Sequence, residues 1–170
     1  MEEIIDRNIN SDEVLVRCIF VGDFKRNKSL IEENIVDKDV FVDTRPNVDV
    51  SLLRRRYYSK EECKKRGKQI KDDFVGFLIF KKEVFDNVII KHRENSANAF
   101  EAEIMATPLD ENQQVIPLDV EVNIKTPVNP GHADIKYINP GLLHDDENPN
   151  TAIRRFSRTL FKECKICINF

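Results

Sequence analysis

Chemistry in this chain would start from His132, which follows the turn Asn129-Pro130-Gly131 in the stretch "VNPGHADIKYINPGLLHDD". A second Asn-Pro-Gly, 139 to 141, precedes His144, so the two turns present themselves as a possible ligand pair. A strand over 133 to 138 would span roughly 20 Å at about 3.3 Å per residue, which puts the two histidines at opposite ends of it. They do not share a metal on that reading. His132 enters a strand behind a turn, where a side chain reaches into a site on a rigid scaffold. There it would act as a general acid or base. Arg17 is its companion, an arginine inside the apolar run "VLVRCIFV". Such a residue is costly unless it is paired or aimed into a pocket, where it would clamp an anionic substrate. The plainer reading is a histidine bonded to its own turn and an Arg17 paired with one of the many acids.

The second group is "RRRYYSKEECKKRGKQIK", 54 to 71, with nine basic and two acidic side chains in a chain of net charge −3. Arg54, Arg55 and Arg56 match phosphate oxygens bidentately, Tyr57 and Tyr58 offer stacking surfaces for bases, and Lys64, Lys65 and Lys68 add charge. Residues 1 to 49 carry twelve acids against seven bases, so the positive charge is local, which favours a local anionic partner. A solvated basic helix is the plain alternative.

The remaining patterns carry less. Cys164-Lys-Ile-Cys167 is half of a zinc site with no second half in the chain, and it falls at the end of an expected helix rather than its start. Both cysteines read as core, on a helical face shared with Leu160 and Phe161. No glycine-rich phosphate loop is present. Asp145-Asp146-Glu147 beside His144 reads as a solvated loop, since consecutive acids rarely point at one cation. Neither a metal nor a cofactor is expected.

These residues need a scaffold to position them. "VLVRCIFV" (14 to 21), "DVFVD" and "VDVSLLR" read as strands, with a short helix or loop over 23 to 38. Ser59 with Glu62 forms a capping box and starts a helix whose apolar stripe is only Cys63, Gly67 and Ile70. "FVGFLIF" (74 to 80) suits a central strand covered on both faces. A turn or short helix at 81 to 86 and a strand "NVIIKH" follow. "AFEAEIMAT" and "VIPLDVEVNIKT" alternate as a hairpin turned at "PLDENQQ". "HADIKYI" is a strand, and "NPNTAIRRFSRTLFKECKIC" closes the chain as a helix with Ile153, Phe156, Leu160, Phe161 and Cys164 inward.

About six or seven strands and two main helices, without alternation of strand and helix, predict one α+β domain over 1–170 with a mainly antiparallel or mixed sheet. Residues 1 to 13 are allowed as a flexible acidic N-terminus. At 34% charged residues and a mean hydropathy of −0.46, with no basic-apolar leader, the chain is expected in the cytoplasm and outside any membrane. "LVRCIF", "GFLIF" and "KTPVNPGHADI", in that order, resemble a set of short uncharacterised bacterial proteins with a P-x-x-P-G-H-A-D-I segment. The resemblance spans about 14 to 138, implies no activity, and adds weight to Arg17 and His132. The first functional reading is a binder of nucleic acid or another polyanion through 54 to 71. The alternatives are a metal-independent enzyme on a phosphate-containing or nucleotide substrate using His132 and Arg17, and an interaction subunit for an acidic protein.

Overall fold

The computed structural model describes residues 3–23, 40–42, 49–95, 101–138 and 151–168. The expected segment 23 to 38 therefore lies almost wholly outside the described residues, as do His144, the second Asn-Pro-Gly turn and the acids 145 to 147. Six strands form one antiparallel sheet. They are β1 (Val14–Phe20), β2 (Val50–Arg54), β3 (Phe74–Lys81), β4 (Glu101–Ala106), β5 (His132–Ile138) and β6 (Lys165–Ile168), in the order β4-β5-β2-β1-β3-β6. Three α-helices complete it: α1 (Lys60–Ile70), α2 (Lys82–Asn95) and α3 (Thr151–Glu163). The domain is α+β, as the succession of strands predicts. No helix among the described residues is long and apolar enough to cross a membrane.

Strand alternation divides the sheet into two faces. Leu15, Ile19, Leu52, Leu78, Phe80 and Ile135 face α2 and α3, which contribute Phe85, Val88, Ile89, Ile153, Phe156 and Leu160. Each such side chain gains about 1.5–3 kcal/mol on leaving water. Phe85 and Phe156 meet edge to face at 5.6 Å between centroids, which locks the two helices together. The other face carries Val16, Cys18, Phe20, Leu53 and Phe77, and α1 covers it through Cys63. The helix starts at Ser59: the hydroxyl accepts from Glu62 N, and Glu62 Oε2 accepts from Ser59 N at 2.6 Å. β3 is buried on both sides, Phe77 against one cluster and Leu78 against the other.

Four expectations change. Of "DVFVD", the described residues 40–42 form a turn and no strand, with Val40 and Phe41 buried in the core. "NVIIKH" is not a strand but part of α2, because Val84, Phe85, Val88 and Ile89 recur at helical spacing and bury one face despite their β-branched content. "VIPLDVEVNIKT" does not pair with β4. Residues 107–131 are an excursion without named strands, interrupted by Pro108, Pro117 and Pro127, and β4 pairs instead with β5. The terminal helix stops at Glu163, and Cys167 lies in β6 rather than on a helical face. Ile166 and Ile168 reach the same apolar cluster by pairing along β3. Gly76 permits that pairing, since a Cβ there would fall 2.3 Å from the Cys167 carbonyl oxygen.

Candidate functional site

Arg54 ends β2 with its side chain wholly buried, so its donors must find partners inside the protein. They find four. Nε and Nη2 hold the Glu13 carboxylate at 2.5 and 3.0 Å, Nη1 donates to the Asp6 carbonyl at 2.6 Å, and Nη2 donates to the Asn8 carbonyl at 2.9 Å. Arg54 therefore fastens residues 6 to 13 to the end of the sheet. Ile5, buried and bonded through its N–H to the Val122 carbonyl, fixes the same segment from its other end. Arg56, half exposed, reaches Asp6 Oδ2 at 3.1 Å. The Asn8 N–H and Arg56 together hold the Asp6 carboxyl below its ordinary pKa.

The tyrosines are likewise engaged. Tyr57 accepts from Asp6 N at 3.0 Å and lies beneath both Arg54 and Arg56. Tyr58 is buried; its hydroxyl donates to Asn129 Oδ1 and accepts from Gly131 N at 2.9 Å, and burial pushes its pKa up to about 12. Gly131 is required here: a Cβ would lie 2.5 Å from the Tyr58 ring and 2.9 Å from Tyr57 Cβ. The first Asn-Pro-Gly turn is thus stapled onto residues 57 and 58. Arg55 donates to the Tyr58 carbonyl, and Arg66 stacks on the Tyr58 ring at 4.2 Å while donating to the Val128 carbonyl at 3.0 Å. Rings and guanidinium groups expected to meet a ligand instead hold α1 and the turn in place. Outward on α1 stand Lys65 and Lys68, both exposed, with Lys60 exposed and Lys64 partly so, alongside the exposed Glu61, Glu62, Gln69 and Ile70.

His132 begins β5 opposite Leu53, on the α1 side of the sheet. Arg17 projects from the other side, between Leu15 and Ile19, and so does the buried Arg54. The expected meeting of Arg17, Arg54 or Arg56, and His132 across one pocket is therefore not formed by Arg17 and Arg54. Arg17 has a local task. The β1–β2 ladder registers only Leu15↔Arg54 and Val16↔Leu53, and just beyond it Arg17 Nη1 donates to the Ser51 carbonyl at 3.1 Å.

His132 is joined by residues that the sequence reading passed over. Asp134 sits two positions on, hence on the same face; Thr107 follows directly after β4, its N–H bonded to the His132 carbonyl at 3.0 Å, and Ser51 lies on the neighbouring strand β2. Thr107 Oγ1 donates to Asp134 Oδ2 at 2.8 Å, and Ser51 Oγ donates to Asp134 Oδ1 at 3.3 Å. His132 Nδ1 lies 2.9 Å from the Thr107 carbonyl and 3.0 Å from its hydroxyl. Because a carbonyl only accepts, Nδ1 carries the proton, and in a neutral ring Nε2 has the lone pair. Nε2 stands 3.8 Å from Asp134 Oδ1, too far for a hydrogen bond. Thr107, His132 and Asp134 are all buried, whereas Ser51 is exposed. The i, i+2 spacing of His132 and Asp134 on an expected strand was the available signal. Thr107 and Ser51 had none.

Cys164 donates to the Leu160 carbonyl at 3.2 Å, and burial raises both its thiol and that of Cys18 to about 12. Among the described residues no three histidine, cysteine or acidic side chains stand together as a metal site. No protein-family model matches the chain, and no curated protein or solved structure matches it significantly.

Proposed function

We propose that the chain binds nucleic acid or another polyanion through the outer face of α1, with Lys65 and Lys68 at its centre and Lys60 and Lys64 beside them. The observation that carries this reading is the helix itself: eleven residues long, it buries only Cys63 and Gly67. A capping box at one end and Arg66 on Tyr58 along one side hold it rigidly, so its lysines are presented on a fixed support. Lys65 and Lys68 make no ion pair among the described residues. Arg54, Tyr57 and Tyr58 support this face rather than touch the ligand. The setting we infer is a cytoplasm, where the four cysteines stay reduced and polyanions abound.

The test is retention on immobilised single- and double-stranded nucleic acid across a salt series. Lys65→Glu with Lys68→Glu should weaken binding at least about tenfold at moderate salt and lower the log–log salt slope by about 1–2. The melting temperature should stay put, since both side chains are exposed. Equal retention of the variant and the parent overturns the reading, and so does salt-dependent capture of an acidic protein free of nucleic acid.

A further inference from the structure

On the α1 side of the sheet, three acceptors stand together, and among the described residues no cation is hydrogen-bonded to them. Asp134 is only 5% exposed, and its carboxylate is met by two hydroxyl donors, Thr107 and Ser51, neither of which carries charge. His132 Nε2, which holds the lone pair when the ring is neutral, makes no hydrogen bond among the described residues. The His132 side chain keeps 10% of its surface exposed. Ser51 is exposed and has lone pairs to offer beside its bond to Asp134. The same face is acidic further along: Lys136 pairs with Asp49 at 3.1 Å and sits opposite Glu103 in the β4–β5 register. With the imidazole neutral, Asp49, Glu103 and Asp134 against Lys136 leave it at −2, which disfavours a phosphate here and favours a cation.

The spacing selects the kind of cation. Nε2 and Asp134 Oδ1 are 3.8 Å apart, so one donor atom can stand at a normal hydrogen-bond length of about 2.9 Å from both. It needs one hydrogen for each and benefits from a third toward Ser51 Oγ. It also needs a positive charge to offset the buried carboxylate. A primary ammonium has both, whereas an alcohol lacks the charge and a quaternary ammonium lacks the N–H groups.

We propose that His132, Asp134 and Ser51 form a binding site for a primary amine, entered from the Ser51 side, with Thr107 fixing the imidazole and carboxylate. The site is independent of the lysines on α1.

The probe is propylamine, titrated into the intact chain and followed by the ¹⁵N resonances of the His132 ring. A saturable shift centred on Nε2 is expected, with propanol and tetramethylammonium giving none. Asp134→Asn keeps the shape and an acceptor oxygen but removes the charge, and should weaken the amine at least about tenfold. Ser51→Ala, at an exposed position, should weaken it several-fold without unfolding the chain, so the test stands even if Asp134→Asn does not fold. A tetrapeptide with a single lysine separates the sources of the amine: a shift with propylamine alone assigns a small molecule, and a shift with the peptide too admits a protein side chain. The proposal is overturned if propylamine gives no saturable shift, if tetramethylammonium or propanol matches it, or if Ser51→Ala and a folded Asp134→Asn both bind like the parent.

Discussion

Arg54→Ala deletes one half of a buried ion pair and the donors of two backbone carbonyls, and leaves the Glu13 carboxylate, at 5% side-chain exposure, without a hydrogen-bonded cation, its remaining ion partner among the described residues being Arg56 at 3.9 Å. Removing one partner of such a pair costs about 3–5 kcal/mol, most of it from the charge left behind. For a chain of this size each kcal/mol moves the melting temperature by roughly 2–4 °C, so a fall of roughly 10 °C is expected. Glu13→Ala should cost a similar amount, because it strands the wholly buried guanidinium instead. The double substitution Arg54→Ala with Glu13→Ala leaves no buried charge, so its loss should be smaller than the sum of the two by at least about 2 kcal/mol. Arg54→Lys should recover little, since one ammonium cannot reproduce donors spread over Nε, Nη1 and Nη2. Urea denaturation of the four variants gives the cycle directly. An Arg54→Ala loss below about 1 kcal/mol, or strict additivity with Glu13→Ala, would refute the assignment of Arg54 as the clasp of the N-terminal segment.

Three further outcomes are expected. Tyr58→Phe removes the hydroxyl shared by Gly131 N and Asn129 Oδ1, leaving a buried N–H without a partner; denaturation should show a loss of about 1–3 kcal/mol, and a change under 0.5 kcal/mol would contradict the staple. With thiols raised to about 12, Cys18 and Cys164 should resist iodoacetamide at pH 8 in the folded chain and react fully in denaturant, read by peptide mass. Asp6 has a folded pKa below its model-compound value of 3.8, so the stability it contributes is present above that value and is lost as pH falls through the folded pKa; Asp6→Asn should flatten the acid limb of the stability curve below about pH 4 and leave its neutral region nearly parallel.

Legibility along the chain followed how local each signal was. The capping box at Ser59 and Glu62 was readable because its partners are three residues apart and both carry the chemistry in their names. β1 and β3 were readable as apolar runs of strand length. α2 was misread because Val88, Ile89 and Ile90 are β-branched, and only the packing of Val88 and Ile89 beneath Phe156 and its neighbours resolves the period. The hairpin of "AFEAEIMAT" with "VIPLDVEVNIKT" failed because alternation describes a half-buried strand without naming its partner, and β5, some 30 residues from β4, supplied the pairing edge. At the basic segment the residue types were visible but their allocation was not. Arg54, Arg56 and Lys65 are indistinguishable as sequence, while in the fold the first is sealed, the second half exposed and the third exposed without an ion pair among the described residues.

By itself the sequence determined the class of the fold, the start of α1, the separation of charge along the chain and the interest of His132, all of which depend on composition, period or neighbours within a few residues. Only the tertiary structure decided which cations are structural, that Arg17 and His132 lie on opposite faces of one sheet, and that Thr107, Asp134 and Ser51 gather around the imidazole. Those facts rest on strand register across 25 to 83 residues of separation, set by burial of two faces at once, and no local pattern encodes it.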